Sequence, residues 1–234
     1  MNNNLASYAD LATAAGTLIL AIATFRAVRS ANRAARVAEQ ALLLGLRPLL
    51  VPSRLDDTPQ KILYGDGKIE YVQGGRGAAE VDSGNVYLAV SVRNAGRGIG
   101  VLHGWRFTVG RQSIDGHPPL ADFHPHMRDI LIAPSDIGFW QAAFREPDND
   151  PQYGDAIAAV RSGDVLTIDV LYGDAEGGQR AISRFTLVPR TVPDSDDRSW
   201  IASVVRHWNI DRPDPRSTER PDPPPSLSGS TAVS

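Results

Sequence analysis

In residues 86–94, VYLAVSVRN, apolar side chains recur at every second position. Two sets of side chains alternate along this stretch: the first is Val86, Leu88, Val90 and Val92, and the second is Tyr87, Ala89, Ser91 and Arg93. A period of two places the two sets on opposite faces of an extended chain. The stretch therefore predicts a β-strand with a valine-rich face.

Further strands of the same kind are predicted on both sides of it. They cover residues 49–52, 103–110, 130–133, 137–144, 165–172 and 181–188, with clusters of Gly, Pro and Asp between them. The last two are typical of a β-hairpin around DAEGGQ, and residues 155–161 predict one or two helical turns. Residues 55–82 are weakly patterned and predict a hairpin around 65–67 and a Gly-rich loop. Short strands without long helices between them predict a mainly β fold, an antiparallel immunoglobulin-like β-sandwich over residues 48–192.

The N-terminal part of the chain predicts a membrane anchor. Residues 11–25, LATAAGTLILAIATF, carry no charge, and the basic residues follow directly after them: Arg26, Arg29, Arg33 and Arg36. Because cationic side chains mark the cytoplasmic end of a span, we expect residues 1–10 outside a bacterial plasma membrane and the β-domain in the cytoplasm. The alternatives are a buried or partner-bound soluble helix, or a cleaved signal peptide, which would need its basic segment first.

Residues 26–47 predict a continuation of this helix up to Pro48. The segment is rich in Ala, Arg, Leu, Glu and Gln, which favour helices. Small residues form one stripe along it: Ala27, Ala31, Ala34, Ala38 and Ala41. Such a stripe lets two helices approach closely, and it predicts a homo-oligomer formed through the N-terminal helix. The alternatives are chance spacing in an Ala-rich segment, or packing on the protein's own domain.

The C-terminal part predicts a second, shorter helix. In residues 193–210, Ser195 suits a helix N-cap, and five apolar side chains fall on one helical face: Trp200, Ile201, Val204, Val205 and Trp208. This amphipathic helix is expected to dock on the sandwich or on the inner membrane surface. Residues 211–234 are rich in Pro and charge and predict a disordered tail.

Catalytic and cofactor motifs are absent from the sequence, which predicts a protein that is not an enzyme and has no cofactor. There are no cysteines. The weak candidates for a metal site are His117, His124 and His126, and they leave open an alternative function in binding a metal or small ligand. Prolines hold this segment extended, so a solvated loop is the default. Residues 51–234 are net acidic, which argues against nucleic acid as a partner.

Three segments together resemble a set of uncharacterised bacterial membrane-anchored β-sandwich proteins. These segments are the helix ending in QALLLGLRPLL, the stretch VRNAGRGIGVLHGW, and the hairpin LTIDVLYGDAEGGQR. Proteins of that set end their first helix at R-P-x-L and carry an R-N-x-G-x-G turn, and the similarity covers most of residues 10–190. It implies a single-span anchored sandwich and assigns no activity. The function predicted is that of an interaction protein at the membrane, which presents a cytoplasmic β-sandwich to an unknown protein partner.

Overall fold

The computed structural model describes residues 2–145, 150–191, 198–214 and 216, and it gives the main chain alone for residues 2–15, 40, 43, 44 and 198. The described chain is mainly β and antiparallel, with two α-helices. The helices are α1 (Asn2–Gly45) and α2 (Tyr153–Ser162). The strands are β1 (Leu50–Pro52), β2 (Gln60–Leu63), β3 (Ile69–Val72), β4 (Arg76–Asp82), β5 (Asn85–Asn94), β6 (Gly100–Val109), β7 (His124–Ile132), β8 (Ile137–Phe144), β9 (Leu166–Gly173), β10 (Arg180–Thr191) and β11 (Arg198–Asn209).

Helix α1 is a single uninterrupted helix of 44 residues, about 66 Å long at 1.5 Å per residue. The prediction of a continuous helix that ends before Pro48 is confirmed, and the helix already begins at Asn2. All side chains described on it are exposed. Within the described residues, no helix is long and apolar enough to cross a membrane.

Most of the strands form one curled antiparallel sheet in the order β7-β6-β9-β10-β11-β4-β5-β8. Strand β5 pairs with β8 along one edge, and its other edge is shared by β4 and then β1. The terminal strands of the curl are therefore β7 and β8. All predicted strands are present, although their ends differ by several residues in β6, β7 and β10.

The main core fills the inside of the curl. Its largest fully buried side chains include Trp140, Tyr172, Phe107, Phe144 and Phe185. Helix α2 closes one end, where Ala156, Ala159 and Val160 are buried against the core. Gly163 ends this helix in the left-handed conformation (φ 74°), which a glycine adopts without steric cost.

A two-stranded hairpin, β2–β3, lies on the outside of the curl over β5 and confirms the hairpin predicted around residues 65–67. Ile62, Tyr64 and Val72 pack there against Tyr87 and Ala89. The alternation of β5 is thus as predicted, but both of its faces are buried. The finer prediction of an immunoglobulin-like sandwich is not confirmed, because the main strands form one curled sheet.

Three predictions of local structure are wrong in whole or in part. The helix predicted over residues 193–210 is strand β11 from Arg198 onwards, and it pairs with β10 along its length; Ser195, its predicted cap, lies outside the described residues. Trp200 and Ala202 face the core, and a bulge then leaves Val205 without a partner in the ladder. After this bulge Trp208 lies on the face of the sheet opposite to Trp200. The bulge thus breaks the strict alternation of a strand, and the apolar residues of β11 recur with the spacing of a helix.

The Gly-rich loop predicted before residue 82 is also partly wrong, because Arg76–Asp82 form strand β4 between β5 and β11.

In addition, the predicted tail begins too early. Asp211 is bound by Arg180 (2.9 Å) and Asp214 by Arg206 (3.3 Å), so residues 211–214 pack against β10 and β11. The remainder of the tail, residues 217–234, lies outside the described residues.

A buried ionic row crosses the outer face of the sheet opposite to the core. Arg106, Asp169 and Arg184 are ladder partners on β6, β9 and β10. Arg184 binds the Asp169 carboxylate at 2.6 and 2.9 Å, and Arg106 lies 3.3 Å from it. The loop after β6 covers this row, since Arg184 also donates to the Ser113 carbonyl. The charges are therefore paired in a place where isolated charges would be costly.

The glycine-rich turn after β5 holds the C-terminal end of α1. The buried Asn94 side chain makes four hydrogen bonds, to Leu49 N, Gly96 N, Gly98 O and Ile132 O. The turn also bonds to the chain that leaves the helix, through Arg97 N to Arg47 O (3.2 Å). The segment RNAGRGIG is therefore a structural turn, as the sequence predicts, and it anchors α1 to the sheet.

Candidate functional site

An open cleft of about 970 Å³ lies between the two terminal strands of the curl. Its walls are β7 on one side, β8 on the other, and the turn between β2 and β3 above them. Strand β7 pairs only with β6, and β8 only with β5, among the strands that the structure describes. The opposite edges of both strands face the cleft, so their main-chain N–H and C=O groups lack ladder partners there.

A large bulge in β7 shapes the first wall. Leu102 pairs with Ile130 and Gly104 with Pro125, so that the single residue His103 lies opposite residues 126–129. These four residues leave the regular ladder and form the rim. Met127 at their centre is fully exposed, with 100% of its surface accessible. An exposed, flexible thioether at the rim is suited to contact an apolar partner.

Aromatic rings form the floor. Trp105 is 7% exposed and packs edge-on against Trp140 (5.9 Å between centroids) and Phe144 (5.4 Å). His124, its direct partner on β7, stacks on Trp105 with 4.6 Å between the ring centroids. The His124 Nε2 atom lies 3.4 Å from the amide oxygen of Gln152. The floor is thus a rigid apolar platform with one imidazole on it.

A carboxylate joins the hairpin turn to β8. Asp66 accepts hydrogen bonds from the Tyr87 hydroxyl (2.7 Å) and from Arg145 Nε (2.9 Å). The Tyr87 hydroxyl and then the Arg145 guanidinium hold the pKa of Asp66 at about 2, below its usual value. Asp66 therefore stays ionised at neutral pH and neutralises Arg145.

Arg128 is the basic group of the cleft that lacks such a partner. Its guanidinium donates to the side-chain amide oxygen of Gln141 on β8 (2.9 Å) and contacts Leu63 O at 3.5 Å. No carboxylate pairs with it in the described part of the chain. Beside it, the buried Nε2 of His126 has no hydrogen-bond partner among the described residues. Burial, with the nearby charge of Arg128, lowers the pKa of His126 to about 4, so this imidazole is neutral at pH 7.

The three histidines predicted as metal ligands are only partly brought together. His124 and His126 line the cleft, whereas His117 is exposed on the preceding loop and its Nδ1 lies 2.9 Å from Pro118 O. Over the ranges that the structure describes, no three His, Cys, Asp or Glu side chains are grouped to hold a metal ion. The geometry therefore gives the metal-binding alternative no support.

The residues predicted for the anchor and for the helix interface all lie on α1 and are exposed. One side carries Arg26, Arg29, Arg33 and Arg36. The opposite side carries Ala27, Ala31, Ala34, Ala38 and Ala41. None of the residues that the structure describes covers the alanine stripe, so its role in a helix pair stays a prediction.

The cleft could not be predicted from the sequence. Asp66 and Arg145 are 79 positions apart in the chain, and Arg128 reaches Gln141 across an unpaired gap. The one local indication of the cleft was the segment His124-Pro125-His126, whose two histidines both line it.

No family model matches the chain, and the comparisons with curated proteins and with solved structures also returned no match. The resemblance drawn from the R-P-x-L and R-N-x-G-x-G motifs therefore stays a prediction.

Proposed function

We propose that this protein is an interaction module at the membrane, which binds an extended segment of a partner protein as an added strand between β7 and β8. The observation that carries the proposal is the pair of sheet edges that face one another across the cleft without pairing. An extended peptide forms main-chain hydrogen bonds to such an edge, and side-chain pockets select its sequence.

The length of the β8 edge suits one added strand. Strand β8 is eight residues long. A partner segment of about five or six residues, the usual strand length, fits along this edge. Because neighbouring strands lie about 4.8 Å apart, one inserted strand would bridge edges that are about 10 Å apart. Close to the turn at 133–136 the two strands converge, so the segment would enter at the opposite, wider end.

The side chains in the cleft select the chemistry of that segment. Trp105 in the floor and Ile130 on β7 favour apolar side chains at alternate positions of the segment, which point inwards from a strand. Arg128, which has no carboxylate partner among the described residues, favours an acidic side chain beside it. We therefore propose a partner segment that alternates apolar residues with at least one Asp or Glu.

Helix α1 is proposed to hold this module at the cytoplasmic side of a bacterial plasma membrane, with the N-terminus outside. Support comes from the order of the apolar segment and the arginines that follow it. Leu18, Ile19 and Leu20 are 62%, 68% and 67% exposed and need a lipid or protein cover. Membrane fractionation with protease protection tests this part: cleavage of the β-domain from outside intact cells would contradict it, and so would recovery of the protein in the soluble fraction.

We also propose that the β-domain is an immunoglobulin-like sandwich, a finer description than that of a curled antiparallel sheet. Its support is the β2–β3 hairpin, which lies as a second layer on the outer face of β5. A solved structure with the hairpin shifted away from β5 would contradict it.

Peptide display on the purified full-length protein tests the peptide-binding function. We expect retained peptides to share alternating apolar residues and an acidic position. Hydrogen exchange should then show that such a peptide protects main-chain amides in both β7 and β8, because an inserted strand pairs with both edges.

The variant Arg128→Glu should reverse the preference for the acidic position, whereas Arg111→Glu, an equal change of charge at an exposed residue outside the cleft, should leave it unchanged. Failure to retain any peptide, or protection confined to other strands, would contradict the proposal.

A further inference from the structure

We infer that a second site, at the end of the curled sheet where α1 joins it, binds a small organic acid. This α1-end pocket has a volume of about 810 Å³ and is lined by the chain that leaves α1, the turn after β5, the ends of β9, β10 and β11, and residues 212–214 and 216. Sites for small ligands typically measure about 300–1,000 Å³. The pocket shares no lining residue with the cleft between β7 and β8.

Its charge is unbalanced. Four arginines line the pocket, and Asp214 is the acidic residue among its lining side chains. Asp214 is already engaged, because Arg206 lies 3.3 Å and Arg216 3.0 Å from its carboxylate. The nearby Asp211 is likewise bound by Arg180 at 2.9 Å.

Three arginines therefore remain without a carboxylate at ion-pair distance, although Arg47 lies near enough to Asp211 to help lower the pKa of that carboxyl. In the ranges given by the structure, the side chains of Arg47, Arg97 and Arg212 take part in no ion pair and no hydrogen bond. They come from three separate segments, and the fold brings them to one concave surface. Guanidinium groups bind carboxylates through paired, charge-assisted hydrogen bonds, so this cluster is suited to an oxyanion head group.

The wall behind the arginines is apolar and rigid. It includes the buried Pro48, Tyr172 and Ala181. Tyr172 is fixed because its hydroxyl oxygen accepts a hydrogen bond from the Leu50 main-chain N–H (3.3 Å) and lies 2.9 Å from Ser183 Oγ. A short hydrocarbon body would therefore find a preformed surface, and an inorganic ion would leave this surface uncovered.

Two polar groups complete the wall. The Oδ1 atom of Asn209 is buried and has no hydrogen-bond partner in the described part of the chain, so it can accept a hydrogen bond from a ligand hydroxyl or amine. The Nδ1 atom of His207 lies 2.7 Å from Ser183 Oγ. Burial, and then the charge of Arg216, lower the pKa of His207, so it adds a neutral imidazole. The positive charge of the pocket therefore comes from the arginines.

Titration of the full-length protein with three soluble probes tests the inference, with ligand-observed NMR as the readout. The probes are valerate, its neutral amide valeramide, and inorganic phosphate. We expect saturable binding of valerate, at least about tenfold weaker binding of valeramide, and weaker binding of phosphate, which lacks the apolar body.

The double variant Arg97→Ala and Arg212→Ala should weaken valerate binding at least about tenfold, and its circular dichroism spectrum should be unchanged. Arg111→Ala, which removes an exposed arginine outside the pocket, should bind valerate like the wild type. Equal affinity for valerate and valeramide, tighter binding of phosphate than of valerate, or unchanged affinity in the double variant would each overturn the inference. Because the peptide cleft is elsewhere, these results are independent of the proposed function.

Discussion

Gly98 lies directly against the carbonyl group of Leu46, so that a Cβ atom at position 98 would overlap the Leu46 oxygen. Gly96 is placed in the same way against the Arg47 carbonyl. The two glycines therefore let the turn after β5 touch the main chain at the end of α1. This contact, together with the four hydrogen bonds of Asn94, fixes the point from which the long helix leaves the sheet.

Replacement of Gly98 should destabilise the protein. We expect Gly98→Ala to lower the free energy of unfolding by about 1–3 kcal/mol, because the main chain of residues 46–47 must move to make room for the new methyl group. Denaturant unfolding followed by tryptophan fluorescence measures this change. The matched control is Gly116→Ala, where a new Cβ meets no atom within 4 Å. Equal stability of the two variants would contradict the prediction.

Disruption of the buried ionic row should lower the free energy of unfolding more than Gly98→Ala does. Asp169→Asn removes the charge that pairs with Arg184, whose side chain is only 4% exposed. We expect a loss of about 3–5 kcal/mol in the free energy of unfolding, because the guanidinium is left buried without its counter-charge. Asp122→Asn is the control: this carboxylate is 47% exposed and lies 3.7 Å from Arg106. Its loss should cost at most about 1 kcal/mol.

Acid should weaken the contact between the hairpin turn and β8. The pKa of Asp66 is about 2 in the folded protein, below its ordinary value of 3.8. The ionised carboxylate thus adds stability above the ordinary pKa, and this contribution is lost as the pH falls from about 4 towards 2. Unfolding curves from pH 6 to pH 2 should show a smaller acid loss in Asp66→Asn than in the wild type.

Tyr87→Phe provides a direct check on the cause of that shift. The Tyr87 hydroxyl makes the largest contribution to the lowered pKa of Asp66. Its removal should therefore raise this pKa towards 3.8, as measured by NMR titration of the carboxyl carbon. An unchanged titration midpoint would mean that the other donors to Asp66, Arg145 and the Lys68 main-chain N–H, set the pKa.

The strands could be predicted where the pattern along the chain was undisturbed. The alternation in residues 86–94 located β5, but it could not show that β2 and β3 cover the outer face, because that packing joins distant segments. Strand β11 was missed because the bulge at Val205 moves Trp208 to the opposite face from Trp200. The apolar residues then recur with helical spacing. The pairing with β10, which makes this segment a strand, cannot be seen in the local sequence pattern.

Neither of the two proposed binding sites could be predicted, for a similar reason. The cleft depends on which strands are left unpaired at the ends of the curled sheet, and this is a property of the whole topology. The α1-end pocket combines Arg47, Arg97 and Arg212, which are far apart in the sequence and have no common motif. A sequence pattern reports local periodicity, whereas these sites arise from long-range pairing.

The alanine stripe of α1 leads to the last prediction. Ala34 and Ala38 are exposed on α1, and among the described residues the sheet holds this helix at its C-terminal end, so a second α1 can pack along the stripe. Crosslinking in membranes should give a dimer for the wild type, and the double variant Ala34→Leu and Ala38→Leu should reduce it, because larger side chains separate the helix backbones. Val37→Leu, at a residue that is 65% exposed and outside the stripe, should leave the dimer intact. If the double variant and the control crosslink equally, or the wild type gives no dimer, the helices do not pair through this stripe.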